Sequence, residues 1–145
     1  MKTIERLTSH LKNQFFALYE AKRQGVKIIG YMPGGYFPEE LTLAAGAIPV
    51  CMIRGGDHAA VETSIAYVDR WIDTFYRAQV GAAISGDDPY YKIIDILFYP
   101  ITDNNNRTAS DLLDYHTNIE IFPFGVPHTK DELGYRYYLY GINKV

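Results

Sequence analysis

Val26-Lys-Ile-Ile-Gly-Tyr-Met-Pro-Gly-Gly-Tyr-Phe-Pro-Glu-Glu-Leu-Thr-Leu-Ala-Ala-Gly-Ala-Ile-Pro-Val50 holds the fold in miniature. An apolar strand from Val26 to Tyr31 runs into a Gly/Pro loop. Pro38 fits the first turn of a short helix through Ala45, and Glu39 and Glu40 sit at its positive end. Gly46 stops that helix, and a second buried strand, Ile48 to Ile53, follows. A strand, a helix and a strand joined this closely make a βα unit whose two strands lie parallel.

Working outward, Ile4, Leu7, Leu11, Phe15 and Leu18 recur at helical spacing and predict a helix from about Thr3 to Gln24, stopped at Gly25. Beyond the opening unit, Arg54–Asp57 is a loop and a helix covers roughly Tyr67 to Ala83. Asp87-Asp-Pro-Tyr90 breaks the chain before a third strand, Ile93 to Tyr99, whose continuous apolar character predicts burial on both faces. Asp103-Asn-Asn-Asn106 is a turn able to cap a helix over about Arg107–Tyr115. Ile119 to Phe124 is a fourth strand, and Thr129-Lys-Asp-Glu132 fits a capping box opening a last helix that still runs near the end of the chain. The expectation is one α/β domain over residues 1–145: a parallel sheet of about four strands, helices on both faces, in a flavodoxin- or Rossmann-like three-layer arrangement.

Composition narrows the function. With 48% hydrophobic residues the 145-residue chain can bury a proper core. A net charge of −3 gives no general attraction for nucleic acid or an anionic membrane, and basic residues are dispersed. No apolar run reaches the length of a membrane span and Met1-Lys-Thr-Ile-Glu-Arg is not a signal peptide, so the cytoplasm is the expected location. The single cysteine, Cys51, excludes an internal disulfide and any all-cysteine metal site, and it lies within a strand. No serine sits in a nucleophile elbow.

Ligands of parallel sheets bind beyond the carboxyl ends of the strands. Four loops lie there: Met32–Phe37, Arg54–Asp57, Pro100–Asn106 and Gly125–His128. The glycines at 30, 34 and 35 do not make a dinucleotide fingerprint, and two glutamates would repel a pyrophosphate from the next helix. Adjacent on a helix, Glu39 and Glu40 point about 100° apart and cannot converge. They either compensate the helix dipole, or one of them faces the cleft as an acid or base. His10, His58, His116 and His128 show no metal-ligand spacing. His128, at a strand end, is either a ligand contact or a solvated loop residue, and Asp103 is either a helix cap or a ligand contact. The run Tyr135-Arg-Tyr-Tyr-Leu-Tyr140 cannot be buried on one helix face, which leaves part of it for a partner.

Four segments in order carry a family resemblance. Gly30–Leu41 with Ala44-Ala-Gly-Ala-Ile-Pro-Val50 resembles a P-x-E-L … A-A-G-x-x-P-V opening. Arg70-Trp-Ile-Asp-Thr-Phe-Tyr-Arg-Ala-Gln-Val-Gly81, Asp95-Ile-Leu-Phe-Tyr-Pro-Ile-Thr-Asp103 and Phe124-Gly-Val-Pro127 continue it. Together they resemble the 2-hydroxyacyl-CoA dehydratase and benzoyl-CoA reductase family, in wording closer to the reductase branch. The resemblance implies an α/β subunit that works in a homo- or heterodimer. It also implies an acyl-CoA substrate, a [4Fe–4S] cluster held by cysteines, and a separate ATP-dependent activator supplying low-potential electrons in anaerobic metabolism. Strand-end position and the motif match together give Glu40 and Arg77 as candidate catalytic residues and Tyr36 and Asp103 as candidate substrate contacts, with His128 added by its place at a strand end.

The cluster cysteines of that family fall here at Tyr76 (or Asp73) and at Thr102. No cofactor is therefore expected on this chain itself. Two explanations are open: the sequence is part of a longer subunit with a second domain, or it is a cluster-free relative that acts by pairing with another subunit.

Overall fold

The computed structural model describes residues 2–144. In chain order the elements are α1 (Lys2–Arg23), β1 (Ile28–Tyr31), α2 (Glu39–Ala44), β2 (Ile48–Cys51), α3 (His58–Ser64), α4 (Thr74–Ser85), α5 (Tyr90–Ile93), β3 (Ile96–Ile101), α6 (Asn104–His116), β4 (Glu120–Gly125) and α7 (Glu132–Ile142). The four strands form one parallel sheet in the order β2-β1-β3-β4. The expected α/β architecture is the one observed.

Alternation along the strands sends side chains to two cores. On one face Ile28, Val50, Leu97 and Tyr99 meet Leu18 of α1, Ala78 and Val80 of α4, Tyr91 of α5, and Ala109 and Leu113 of α6. On the other face Phe98 and Phe124 pack with Phe37, flanked by Tyr138 and Ile142 of α7. Two glycines make the turns that begin strands possible. Gly25 adopts a φ of 90° and Gly46 one of 76°, where a side chain would be strained. At each, the next residue's N–H reaches back to a helix carbonyl, Val26 to Ala21 at 3.0 Å and Ala47 to Thr42 at 3.1 Å.

Several boundaries differ from the sequence reading. The helix expected over Tyr67–Ala83 begins only at Thr74, where Asp73 accepts from Phe75 N–H at 2.8 Å to start α4, and a separate helix that the sequence reading lacked, α3, forms ahead of it, where Asp57 accepts from Ala60 N–H at 3.2 Å. The third strand begins three residues late, since Tyr90–Ile93 forms α5. Asp95 fixes that shift: its carboxylate accepts from Ile28 N–H at 2.9 Å and pairs with Lys27 at 3.2 Å, holding the chain in a bend before β3. The Asp103–Asn106 turn is the first turn of α6. Thr129 does not cap α7; Asp131 does, accepting from Gly134 N–H at 2.8 Å, while the Thr129 hydroxyl donates to Asp131. The last helix closes at Ile142 with Asn143 as its C-cap. The second strand, expected to be buried, is a half-buried edge strand. Of the apolar stripe on α1, Phe15 and Leu18 reach the core, whereas Ile4, Leu7 and Leu11 are exposed. No described helix is long and apolar enough to cross a membrane.

Prolines punctuate the sheet. The β1–β3 ladder ends where Met32 N–H donates to the Phe98 carbonyl at 3.1 Å. The next bond of a parallel ladder would run from residue 100 to the Met32 carbonyl, and Pro100 has no N–H. Pro49 lies in edge strand β2 and Pro123 in edge strand β4. The neighbouring donors of β2 and β4 turn inward, as Met52 N–H to Tyr31 and Val126 N–H to Ile101 show, so both proline nitrogens face outward.

The tightest helix contact is between α3 and α4: a Cβ on Gly81 would collide with the Ala60 carbonyl. Gly81→Ala should lower stability by about 1–3 kcal/mol through overpacking, read as an earlier urea midpoint at unchanged slope.

Candidate functional site

In the strand order, β2 lies on one side of β1 and β3 on the other, so the chain reverses direction across the sheet between β1 and β3. A crevice outside the carboxyl ends at such a point is the preferred ligand site of an open parallel sheet. Pro100 opens it by ending the β1–β3 ladder. The loops after β1 and β3 and the first turns of α4 and α6 surround it.

Asn106, buried in the first turn of α6, organises this crevice. Its Nδ2 donates to Thr102 Oγ1 at 2.6 Å, to Tyr76 Oη at 3.0 Å and to Asp103 Oδ2 at 3.1 Å. The other Asp103 oxygen accepts from the backbone N–H groups of Asn105 at 2.7 Å and Asn106 at 3.1 Å. Asp73 N–H donates to Asn105 Oδ1 at 3.2 Å, which ties the start of α4 to the start of α6.

The electrostatics follow from this packing. Burial works to raise the Asp103 pKa, but the hydrogen bonds from Asn106, Thr102 and Asn105 outweigh it and hold the carboxyl below the usual range. Tyr76 is pushed the other way, by burial first and then by the Asp103 carboxylate; Asp73 and Tyr36 add to the effect and the Asn106 hydrogen bond opposes it. Its phenol therefore stays protonated at neutral pH. Beneath the crevice Tyr99 is fully buried, and its hydroxyl has no hydrogen-bond partner among the described residues.

The candidate residues separate into two groups. Asp103 belongs to the crevice, Tyr36 is close enough to influence Tyr76, and Tyr76, Asp73 and Thr102 are brought together there. The other three stand apart. Arg77 is buried on α4 and donates to Ser64 Oγ and the Val61 carbonyl, both at 3.3 Å, so it joins α4 to α3 instead of facing the cleft. Glu40 is exposed on α2 and makes no hydrogen bond among the described residues; its neighbour Glu39 is the glutamate that turns to a strand end, accepting from the Tyr31 hydroxyl. His128 is exposed in the loop after β4 and does not contact the crevice network. The Arg54–Asp57 loop is occupied internally, with Arg54 forked onto Asp57 at 2.6 and 3.0 Å and its carbonyl accepting from Gln79 at 2.6 Å.

In the sequence Asn106 reads only as part of a turn. Its position four residues after Thr102 and three after Asp103 is the one available signal, since a helix starting at Asn104 brings all three side chains together.

The cluster implied by the resemblance can be tested against these residues. Iron–sulfur clusters need thiolate ligands. The side chains gathered here offer a phenol, a hydroxyl, a carboxylate and an amide. The one thiol in the sequence, Cys51, ends edge strand β2 beside Tyr31; burial pushes its pKa up, which the Tyr31 hydrogen bond only partly offsets. The donor set does not fit a [4Fe–4S] cluster.

The family profile described as 2-hydroxyglutaryl-CoA dehydratase, D-component, matches residues 35–145, well over half of the chain. No curated protein matches the chain.

Asp103 gives a pH signature. Because its folded pKa is depressed, its stabilising effect is present above the unfolded value of about 3.9 and is lost as pH falls through the folded value. Asp103→Asn should melt at a lower temperature than the parent at pH 7, and the gap should close as both are acidified below about pH 4. A gap that stays constant down to low pH would show that the charge of Asp103 is not what stabilises the crevice.

Proposed function

The chain belongs to the 2-hydroxyglutaryl-CoA dehydratase D-component family, and on that premise we propose that it is a cluster-free subunit of an assembly acting on acyl-CoA thioesters. The observation that supports this reading is the hydrogen-bonded oxygen and amide network on Asn106 at the β3 end, where the resemblance would place cluster thiolates. Low-potential electron transfer then belongs to a partner subunit and its activator, and this chain contributes the crevice and the contact surface. The substrate class is a 2-hydroxyacyl-CoA, following the dehydratase description of the matched family. The reductase branch, suggested by the wording of the sequence motifs, would call for an aryl-CoA instead.

The contact role has its own support. Ile4, Leu7 and Leu11 on α1, and Leu133, Tyr137 and Tyr140 on α7, are large apolar or aromatic side chains left in solvent at helical spacing.

Anaerobic incubation of the purified chain with ferrous iron and sulfide should leave it without the broad visible absorption of a [4Fe–4S] cluster. Stoichiometric cluster uptake would overturn the cluster-free reading. Mixed with an acyl-CoA, the same chain should show saturable binding by calorimetry.

A further inference from the structure

The Tyr76 hydroxyl carries an uncommitted proton. Its oxygen accepts from Asn106 Nδ2 at 3.0 Å, and no described residue offers that hydroxyl an acceptor within hydrogen-bond distance. The amide that holds it is buried, 5% exposed, and its Nδ2 contacts are all to crevice residues. An amide nitrogen has two protons for three acceptors here, so it is saturated by the network and cannot also serve a ligand. Asn106 thus fixes the phenol oxygen without consuming the phenol proton.

We propose that Asn106 is the positioning residue of the crevice, presenting the Tyr76 hydroxyl as a donor to an uncharged acceptor: the thioester carbonyl of the acyl-CoA. The inference rests on the acyl-CoA reading above and adds which atom meets the ligand. The polarity of the site selects the acceptor. The ionised Asp103 beside Tyr76 disfavours an anionic group at that point, whereas a carbonyl oxygen accepts a hydrogen bond without bringing charge. Tyr36 closes the crevice from the β1 side. Its loop is pinned by the Tyr138 hydroxyl, which donates to the Tyr36 carbonyl at 3.0 Å.

Calorimetric titration of the full chain with a 2-hydroxyacyl-CoA and, separately, with free CoA tests this. Tyr76→Phe deletes a single oxygen and keeps the ring. It should weaken acyl-CoA binding about five- to tenfold and leave CoA binding unchanged. Asn106→Ala should give a similar selective loss, and the double variant should lose no more than Tyr76→Phe alone, because both remove the same contact. Equal acyl-CoA binding by wild type and Tyr76→Phe overturns the assignment while leaving the acyl-CoA reading intact. So do losses that add in the double variant, or that fall on CoA as heavily as on the thioester. A wild-type chain that binds no acyl-CoA refutes the underlying reading, and this inference with it. If Asn106→Ala does not fold, Tyr76→Phe decides alone.

Discussion

A single missing proton shapes the centre of this molecule. Pro100 lies in a central strand, where proline is normally excluded because every backbone N–H is needed by a neighbour. It is tolerated because its nitrogen faces β1 at the point where β1 turns away, while its partner on the other side, β4, does not need that donor. β1 and β3 part beyond the bond from Met32 to Phe98, and that parting is the gap at the end of the sheet. The polar ends of α4 and α6 gather around that gap instead of around a continuous ladder.

What fills the gap is a network with an unusual division of labour. Asp103 serves the backbone of α6 with one oxygen and the Thr102 and Asn106 side chains with the other. Asn106 in turn binds a side chain from another helix, Tyr76 on α4. Two helix starts and one strand end are therefore cross-linked by hydrogen bonds. A network pinned on a buried amide is rigid when every member is satisfied, and costly when one is removed. In a family whose matched description is a dehydratase component, a rigid oxygen-and-amide cross-link at this point suits a site that holds a ligand still.

The sheet was legible in the sequence because its signals are strong: apolar runs bounded by Gly25, Gly46 and the Asp103 turn leave little freedom in where the strands lie. The errors have physical causes. Ile93 and Ile94 are apolar enough to pass for the start of a strand, and only the bonds made by the Asp95 carboxylate show that the chain bends there. The helix α3 has no strong apolar stripe of its own; it exists because Asp57 caps it and α4 packs against it through Gly81. The crevice was half legible. Position at a strand end found Asp103 and Tyr36, but spacing cannot tell whether an arginine on a buried helix looks into a cleft or into the neighbouring helix, and Arg77 looks into the helix. Asn106 escaped notice because an Asn-rich turn reads the same whether its amides face water or the protein interior.

The outward-facing prolines of β2 and β4 set a limit on assembly. An edge strand invites pairing with another chain through its unpaired N–H and C=O groups. Each edge here lacks a donor near its middle, so an incoming strand would meet a break in any ladder it tried to form. Merging two such sheets side by side would lose a ladder bond at each proline. The prolines thus bias any contact with another chain toward helices and loops, whose side chains can be tuned to one partner, and away from backbone, which would accept any strand.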